Sequence, residues 1–301
     1  QGMPRIISAA WLTFPFKNIG GIIDAWQHLR KFKPDLAITT GGFVAFPVLA
    51  AARLLGIPAV IHEQNAAMGV TNRLFAKSAA KVLLTYASAA KEDGSRVILT
   101  GNPVRSAFLR EIPASNRFNR KPGEFIVLAV GGSRGAMSLN RACIELTQNW
   151  LPQHPQIRLI HISGERDFDM VKSATEKASD NYTLLPYLHE MREAFEVADL
   201  LVSRAGATIL AEIAVCKKPA ILVPFPFATD NHQEKNARVL EELGAARLML
   251  DRDLNGTRLA AMLEELNNPE KLQKMAAAME KSRPQDVEER ICTEISRLLR
   301  S

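Results

Sequence analysis

Cysteine is scarce in this chain of 301 residues. There are three, Cys143, Cys216 and Cys292, an odd number with no pair spaced as CxxC. That count argues against a secreted, disulfide-stapled scaffold and for a reducing compartment. Histidine is sparse too, at six residues, and no Cys/His cluster offers the spacing of a zinc site. Aromatic residues make up 6% of the chain, and neither a zinc finger nor an RNP-type aromatic motif is present. No apolar run reaches membrane-spanning length: the longest, 45–61, is interrupted by Arg53 and Pro58. No secretory leader is expected ahead of it. The dinucleotide fingerprint GxGxxG and the Walker A lysine pattern are both missing. The chain starts at Gln1 rather than Met, which raises the expectation that a natural N-terminal segment precedes it.

What is present is an ordinary globular composition, 47% hydrophobic and 23% charged, long enough for two domains. The net charge of +6 is unevenly placed. Residues 1–116 hold 13 Lys/Arg against 6 Asp/Glu, a balance of +7, while the remainder holds 25 against 26, a balance of −1. That split implies an anionic partner of the first third, whether nucleic acid, a membrane surface or an anionic substrate. No nucleic-acid module supports the first of these.

Short, continuously apolar runs recur at 36–40, 59–63, 81–86, 96–100, 125–130, 158–163, 182–186, 200–203, 220–224 and 246–250. Continuous runs, rather than alternating ones, are the mark of parallel strands covered on both faces. The longer helix-like segments between them fit βαβ crossovers, so the fold class is α/β with doubly wound parallel sheets. A polar stretch with two prolines, 113–123, breaks the rhythm and reads as a linker. The expected domains are therefore 1–116 and 117–285, with a terminal helix at 286–301. That helix carries Val287, Ile291, Ile295 and Leu299 at i, i+4 spacing.

The candidate chemistry sits at strand ends. The run at 125–130 feeds Gly131-Gly132-Ser133-Arg134-Gly135-Ala136. Glycines there admit a ligand close to the backbone, and the helix N-terminus after them presents N–H groups to an anion such as a diphosphate. A tight turn without a ligand would need the same glycines. The string also spells the G-x-S-x-G elbow of serine hydrolases, which would require Asp199 and His232 beside Ser133. His62-Glu63-Gln64-Asn65 ends another apolar strand. His62 reads as a core histidine, whereas Asn65 is better placed to face a cleft. Gly101-Asn102-Pro103-Val104-Arg105 offers a guanidinium suited to a phosphate or carboxylate. Ser203-Arg204-Ala205-Gly206-Ala207-Thr208 opens a helix on which Glu212 is suited to accept ribose hydroxyls. Asp230-Asn231-His232-Gln233 with Asn236 is a dense run of donors and acceptors suited to a sugar. Asp167/Asp169 and Asp251/Asp253 have D-x-D form but lack neighbouring ligands, so no metal site is expected. Residues 14–32 set Phe14, Phe16, Ile19, Ile22, Ile23 and Trp26 among Lys17, Arg30 and Lys31, a composition that suits an interfacial membrane contact.

Taken in order and spacing, these five polar motifs resemble those of the MurG glycosyltransferases of bacterial cell-wall synthesis, over essentially the whole chain. The resemblance implies a GT-B architecture, two doubly wound domains facing a cleft with a C-terminal helix crossing back. It implies an inverting, metal-independent transfer of N-acetylglucosamine from UDP-GlcNAc to undecaprenyl-diphosphate-linked muramyl pentapeptide, with no cofactor and no nucleic-acid partner. It also implies a peripheral location on the cytoplasmic face of the inner membrane. By motif matching, Ser133 would meet the donor diphosphate, with Arg105 and Asn65 reaching in from the first domain. Leu188, in Tyr187-Leu188-His189-Glu190-Met191, would contact uracil through its backbone. Ala207, Thr208, Ile209, Leu210, Ala211 and Glu212 would hold the nucleoside, and Gln233 with His232 would read the sugar hydroxyls. The family's N-terminal GGTGGH loop, with its candidate general base, has no match in residues 1–35. Some fifty to sixty residues are expected upstream by domain size, and this chain alone is expected to bind donor while catalysing poorly. Three alternatives stay open here: the serine hydrolase, a sugar-nucleotide epimerase of the same architecture, and a donor-binding fragment without activity.

Overall fold

The protein was described from a computed structural model covering residues 10–90, 94–110, 118–132 and 135–300, with side chains from residue 19 onward. The chain divides into two compact units, Gln1–Pro103 with Pro284–Ser301, and Val104–Arg283.

In the first unit, helix α1 (Ala10–Phe32) leads to β1 (Ala37–Thr39), α2 (Ala45–Leu54), β2 (Ala59–Glu63), α3 (Val70–Phe75), β3 (Lys81–Leu84) and β4 (Val97–Leu99). The four strands form one parallel sheet in the order β1-β2-β3-β4. Ile61 of β2 and Val82 and Leu84 of β3 bury against Leu49 of α2 and Phe75 of α3. This is the packing that continuous apolar strand sequences require.

The second unit begins with α4 (Ser106–Leu109), β5 (Phe125–Val130) and α5 (Met137–Asn149). It continues through β6 (Ile157–Ile162), α6 (Phe168–Ala174), β7 (Tyr182–Leu185), α7 (Met191–Val197), β8 (Leu200–Ser203) and α8 (Ala207–Val215). Then come β9 (Ala220–Leu222), α9 (His232–Glu242), β10 (Ala246–Leu248), α10 (Gly256–Leu266) and α11 (Pro269–Lys281). Six parallel strands run in the order β10-β9-β8-β5-β6-β7. Strand β5 feeds both faces of the sheet. Ile126, Leu128 and Val130 enter a core with Phe195, Leu210 and Leu240, while Phe125, Val127 and Ala129 enter a second core with Leu139, Leu146 and Leu263. Between β5 and β8 the strand order reverses, and at such a point the loops leaving the carboxyl ends diverge and open a crevice. All ten expected strands are present.

Two expectations need correction. The boundary expected at 116/117 lies instead at 103/104, because Phe108 is buried with its ring edge-on to Phe195 at 5.3 Å. Phe118, inside the expected linker, is buried in the same core, while 111–117 lie outside the described residues. The terminal helix, α12 (Val287–Arg300), belongs to the first unit, where Lys81 lies 3.5 Å from Glu294. Its buried stripe is not the expected one: Leu299 is exposed, and Glu294 is buried in the stripe. Steps of four residues advance about 40° beyond a full turn at 3.6 residues per turn, so three steps rotate Leu299 off the face set by Val287.

Candidate functional site

The crevice of the second unit is built from three strand ends. After β5, Gly132 and Gly135 take positive φ (91° and 74°), and Gly135 lies so close to Ser163 that a Cβ there would stand 2.4 Å from its carbonyl oxygen. This turn opens α5, whose cap residue Ala136 provides no side-chain acceptor. The free N–H groups of such a helix start are complementary to an anion. Ser133 and Arg134 lie outside the described residues.

After β8, Gly206 caps α8, again without a side-chain cap. Glu212, one turn in, is buried, and its Oε1 accepts a 2.8 Å hydrogen bond from Arg105 Nε. Burial raises the Glu212 pKa, and the Arg105 guanidinium opposes that shift. Arg105 itself is half exposed and lies over the Phe108 ring. It belongs to the second unit rather than reaching in from the first, because the chain crosses at Pro103 and Phe108 anchors the start of the second unit. Of the other α8 positions expected to hold a nucleoside, Thr208 is exposed and Ala207 and Ile209 are half-buried. Leu210 and Ala211 are buried, with Leu210 in the sheet-facing core. Only their backbone can therefore face a ligand. Leu188 is likewise buried in the core, flanked by the rings of Tyr187 and His189, whose centroids are 4.9 Å apart.

After β9, Asp230 and Asn231 adopt left-handed φ of 51° and 53° and start α9. Asn and Asp tolerate this conformation better than other residues with a Cβ. Gln233 Oε1 accepts from Ala205 N at 3.2 Å and Phe225 N at 2.9 Å. Its amide oxygen is thus committed to the backbone, and its Nε2 remains as a donor. His232 Nδ1 donates to the Thr229 carbonyl at 2.7 Å, which leaves Nε2 as an acceptor. Gln233 and His232 therefore present complementary groups, one donating and one accepting. Asn236 is buried and donates to the Ala205 carbonyl at 3.1 Å.

Sequence inspection missed the residue that ties these turns together. Arg204 donates to the carbonyls of Val223 and Pro224, to Ser138 Oγ at 2.8 Å and to Asp251 Oδ1 at 2.5 Å. One guanidinium thus links the ends of β8 and β9 to the first turn of α5. Its partners are spread from position 138 to 251, and no local pattern announces such a set.

In the first unit, Glu63 is buried and organises the loop after β2. It accepts from Asn65 N at 3.0 Å, Asn65 Nδ2 at 3.3 Å, Gly69 N at 2.9 Å and Asn72 Nδ2 at 2.8 Å. His62 is a core histidine, as its position suggested: Nε2 donates to the Gly101 carbonyl at 2.9 Å, and burial lowers its pKa.

The geometry disposes of the hydrolase triad. Asp199 is held by Arg120 at 2.9 Å and by Ile126 N at 2.8 Å, at the beginning of β5. His232 comes after the carboxyl end of β9, and five residues of strand separate the two ends of the sheet by about 16 Å. The D-x-D motifs are structural. Asp167 pairs with Arg166 and Asn140, and Asp251 with Arg204 and Ser138. Among the described residues, no group of three His, Cys, Asp or Glu side chains could hold a metal ion.

Comparison with known proteins places this arrangement. Residues 126–291 match the glycosyltransferase family 28 C-terminal domain, and residues 1–84 match the glycosyltransferase family 28 N-terminal domain. A Desulfitobacterium hafniense protein is 40% identical over 295 residues, covering 92% of this chain and 78% of that protein. Its name is UDP-N-acetylglucosamine–N-acetylmuramyl-(pentapeptide) pyrophosphoryl-undecaprenol N-acetylglucosamine transferase. The chain belongs to the MurG family. A solved relative, Acinetobacter baumannii MurG, superposes with a TM-score of 0.76 at 29% identity, covering 98% of this chain and 83% of that one. The Neisseria meningitidis UDP-GlcNAc 2-epimerase, solved with UDP-GlcNAc, reaches a TM-score of 0.71 at 14% identity, covering 98% and 84%. Epimerases thus share the fold. What separates this chain from them is its likeness in sequence to the MurG family.

Proposed function

We propose that the chain transfers N-acetylglucosamine from UDP-GlcNAc to undecaprenyl-diphosphate-linked muramyl pentapeptide, the step that converts lipid I to lipid II in peptidoglycan synthesis. What supports this reading is the sequence likeness to the MurG family together with the loops at the strand-order reversal, where the uncapped start of α5 and Gln233 follow β5 and β9 and Arg105 pairs with Glu212 on the helix after β8. Each element suits one part of a nucleotide sugar. The 131–136 turn suits the diphosphate, and Ser133 is its proposed contact. Arg105 supplies a further donor for it. Glu212 suits the ribose hydroxyls, the Leu188 backbone suits uracil, and Gln233 with His232 suits the sugar. The transfer is an inverting displacement, in which the acceptor hydroxyl, losing its proton to a general base, bonds to the anomeric carbon as that carbon's bond to the diphosphate breaks and UDP leaves. A fixed positive potential at the diphosphate favours that departure, because charge builds there in the transition state.

We further propose peripheral attachment to the cytoplasmic face of the inner membrane through the basic first third of the chain. Among the described residues, no helix is long and apolar enough to cross a membrane. On α1, Ile19, Ile23 and Phe32 are exposed, beside exposed Arg30 and Lys31. Apolar side chains ringed by cations suit an anionic bilayer surface.

Calorimetry with UDP-GlcNAc, then transfer to a lipid I analogue, tests the enzymatic reading. Binding with transfer is the expected result. Net epimerisation of the sugar nucleotide without acceptor would replace this reading with the epimerase, and binding without transfer would support the inactive fragment.

A further inference from the structure

A buried chain of polar side chains runs behind the 131–136 turn, and none of its members faces the crevice contacts described above. His161, on β6, is fully buried. Its Nε2 lies 3.0 Å from Asn140 Oδ1, and its Nδ1 lies 2.9 Å from the Tyr182 hydroxyl. Asn140, in the first turns of α5, is also fully buried, and its Nδ2 donates to the Ser163 carbonyl and to Asp167 Oδ2, each at 3.0 Å.

Both partners of Asn140 Nδ2 are pure acceptors, so the amide orientation is fixed and Oδ1 must face His161. His161 Nε2 therefore carries the proton, and Nδ1 accepts from Tyr182. Burial pushes the His161 pKa down to about 3, so the ring is neutral in the physiological range. The chain thus has one direction, from Tyr182 through His161 and Asn140 to the acceptors at Ser163 and Asp167.

Those same two acceptors lie against the turn. The space that a Cβ on Gly135 would fill is 2.4 Å from the Ser163 carbonyl oxygen and 2.9 Å from Asp167 Oδ2. The side chain that His161 orients therefore grips the surface on which the glycine turn rests. We propose that His161 is a positioning residue for the diphosphate turn, acting through Asn140 and touching no substrate atom. This inference rests on the donor-site reading above. It adds a group whose work is to hold Gly135 and the start of α5 in register with the β6 crossover, so that the N–H groups of the helix start point to one place.

Calorimetry with UDP and with uridine separates this role from a general loss of fold, because uridine lacks the diphosphate. His161→Leu should weaken UDP binding about 10-fold, the scale of one lost buried hydrogen bond, and leave uridine binding within about 2-fold. His161→Gln, whose amide nitrogen can take the place of Nε2, should restore UDP binding. His161→Asn, too short to reach Asn140, should not, and it keeps the test alive should the leucine variant fail to fold. Equal loss of UDP and uridine affinity, or no loss of either, would overturn the proposal while the donor site stands. A wild-type protein that binds neither ligand would overturn the donor-site reading, and this inference with it.

Discussion

Arg105 and Glu212 are 107 residues apart in sequence and joined by a 2.8 Å hydrogen bond, one side chain half exposed and the other buried. The pair keeps a buried carboxylate compensated while leaving the guanidinium open to a further anion. As an ion pair open to solvent on one side, it should contribute no more than about 1 kcal/mol to stability. Glu212→Gln should accordingly shift the unfolding midpoint little, whereas Arg105→Ala, which leaves the buried carboxylate uncompensated, should lower it more; each should weaken UDP-GlcNAc binding at least about 10-fold. Thermal unfolding and calorimetry on the same samples decide it. A large stability loss with unchanged binding would assign the pair a structural role alone.

The raised pKa of Glu212 sets a pH dependence. Its acceptor role is strongest in the ionised form, so nucleotide affinity should fall as pH drops toward the raised pKa. Glu212→Gln should abolish this dependence across the window in which the wild-type profile falls. A wild-type binding profile that stays flat across the window would contradict the assignment.

Stability should also respond to pH through His161. Its folded pKa of about 3 lies below the unfolded value of 6.5, so the unfolded chain takes up its proton first. The contribution is complete above the unfolded pKa and is lost as pH falls from there toward about 3. His62, lowered in the same direction by burial, adds to the trend. Denaturant titrations at stepped pH should show a shallower slope for His161→Gln than for wild type.

Glu63→Ala should remove the acceptor for four donors around the loop after β2 and cost about 3 kcal/mol. It should also disorder Asn65, whose backbone and side chain both bind that carboxylate. Chemical denaturation measures the first effect and hydrogen exchange of the loop the second. A change under about 0.5 kcal/mol would show that water replaces the carboxylate without loss.

Two glycines with the same φ of 87° form a matched test. At Gly101 a Cβ would stand 2.8 Å from Val287 Cγ2, whereas at Gly42 it would meet nothing within 4 Å. Gly42→Ala should cost about 1 kcal/mol for its backbone alone, and Gly101→Ala about 2–4 kcal/mol, because it also drives α12 from its seat. Equal costs in denaturant unfolding would mean that the Val287 contact yields freely.

Much of the fold was legible because parallel strands write their burial into short, uninterrupted apolar runs such as 125–130 and 200–203. The strand-end motifs were legible for a related reason: glycine turns and helix starts are local structures with local residue requirements. What local reading mistook depends on distant partners. Leu299 fits an apolar stripe by spacing, yet the helix phase turns it to solvent and leaves Glu294 buried in that stripe. Arg105 looked like part of the first unit until Phe108 found Phe195.

The amino-acid sequence by itself determined the α/β class, the ten strands, the positions of the polar motifs and the family likeness, since each depends on neighbours a few residues apart. Only the tertiary structure decided which side chains meet. It gave Arg105 to Glu212, spent the Gln233 oxygen on backbone N–H groups, carried Asp199 to the far end of the sheet and set His161 behind the glycine turn. Such pairings form when crossovers bring distant turns together at one end of a sheet, and a hydrogen bond of 3 Å leaves no trace in residue order.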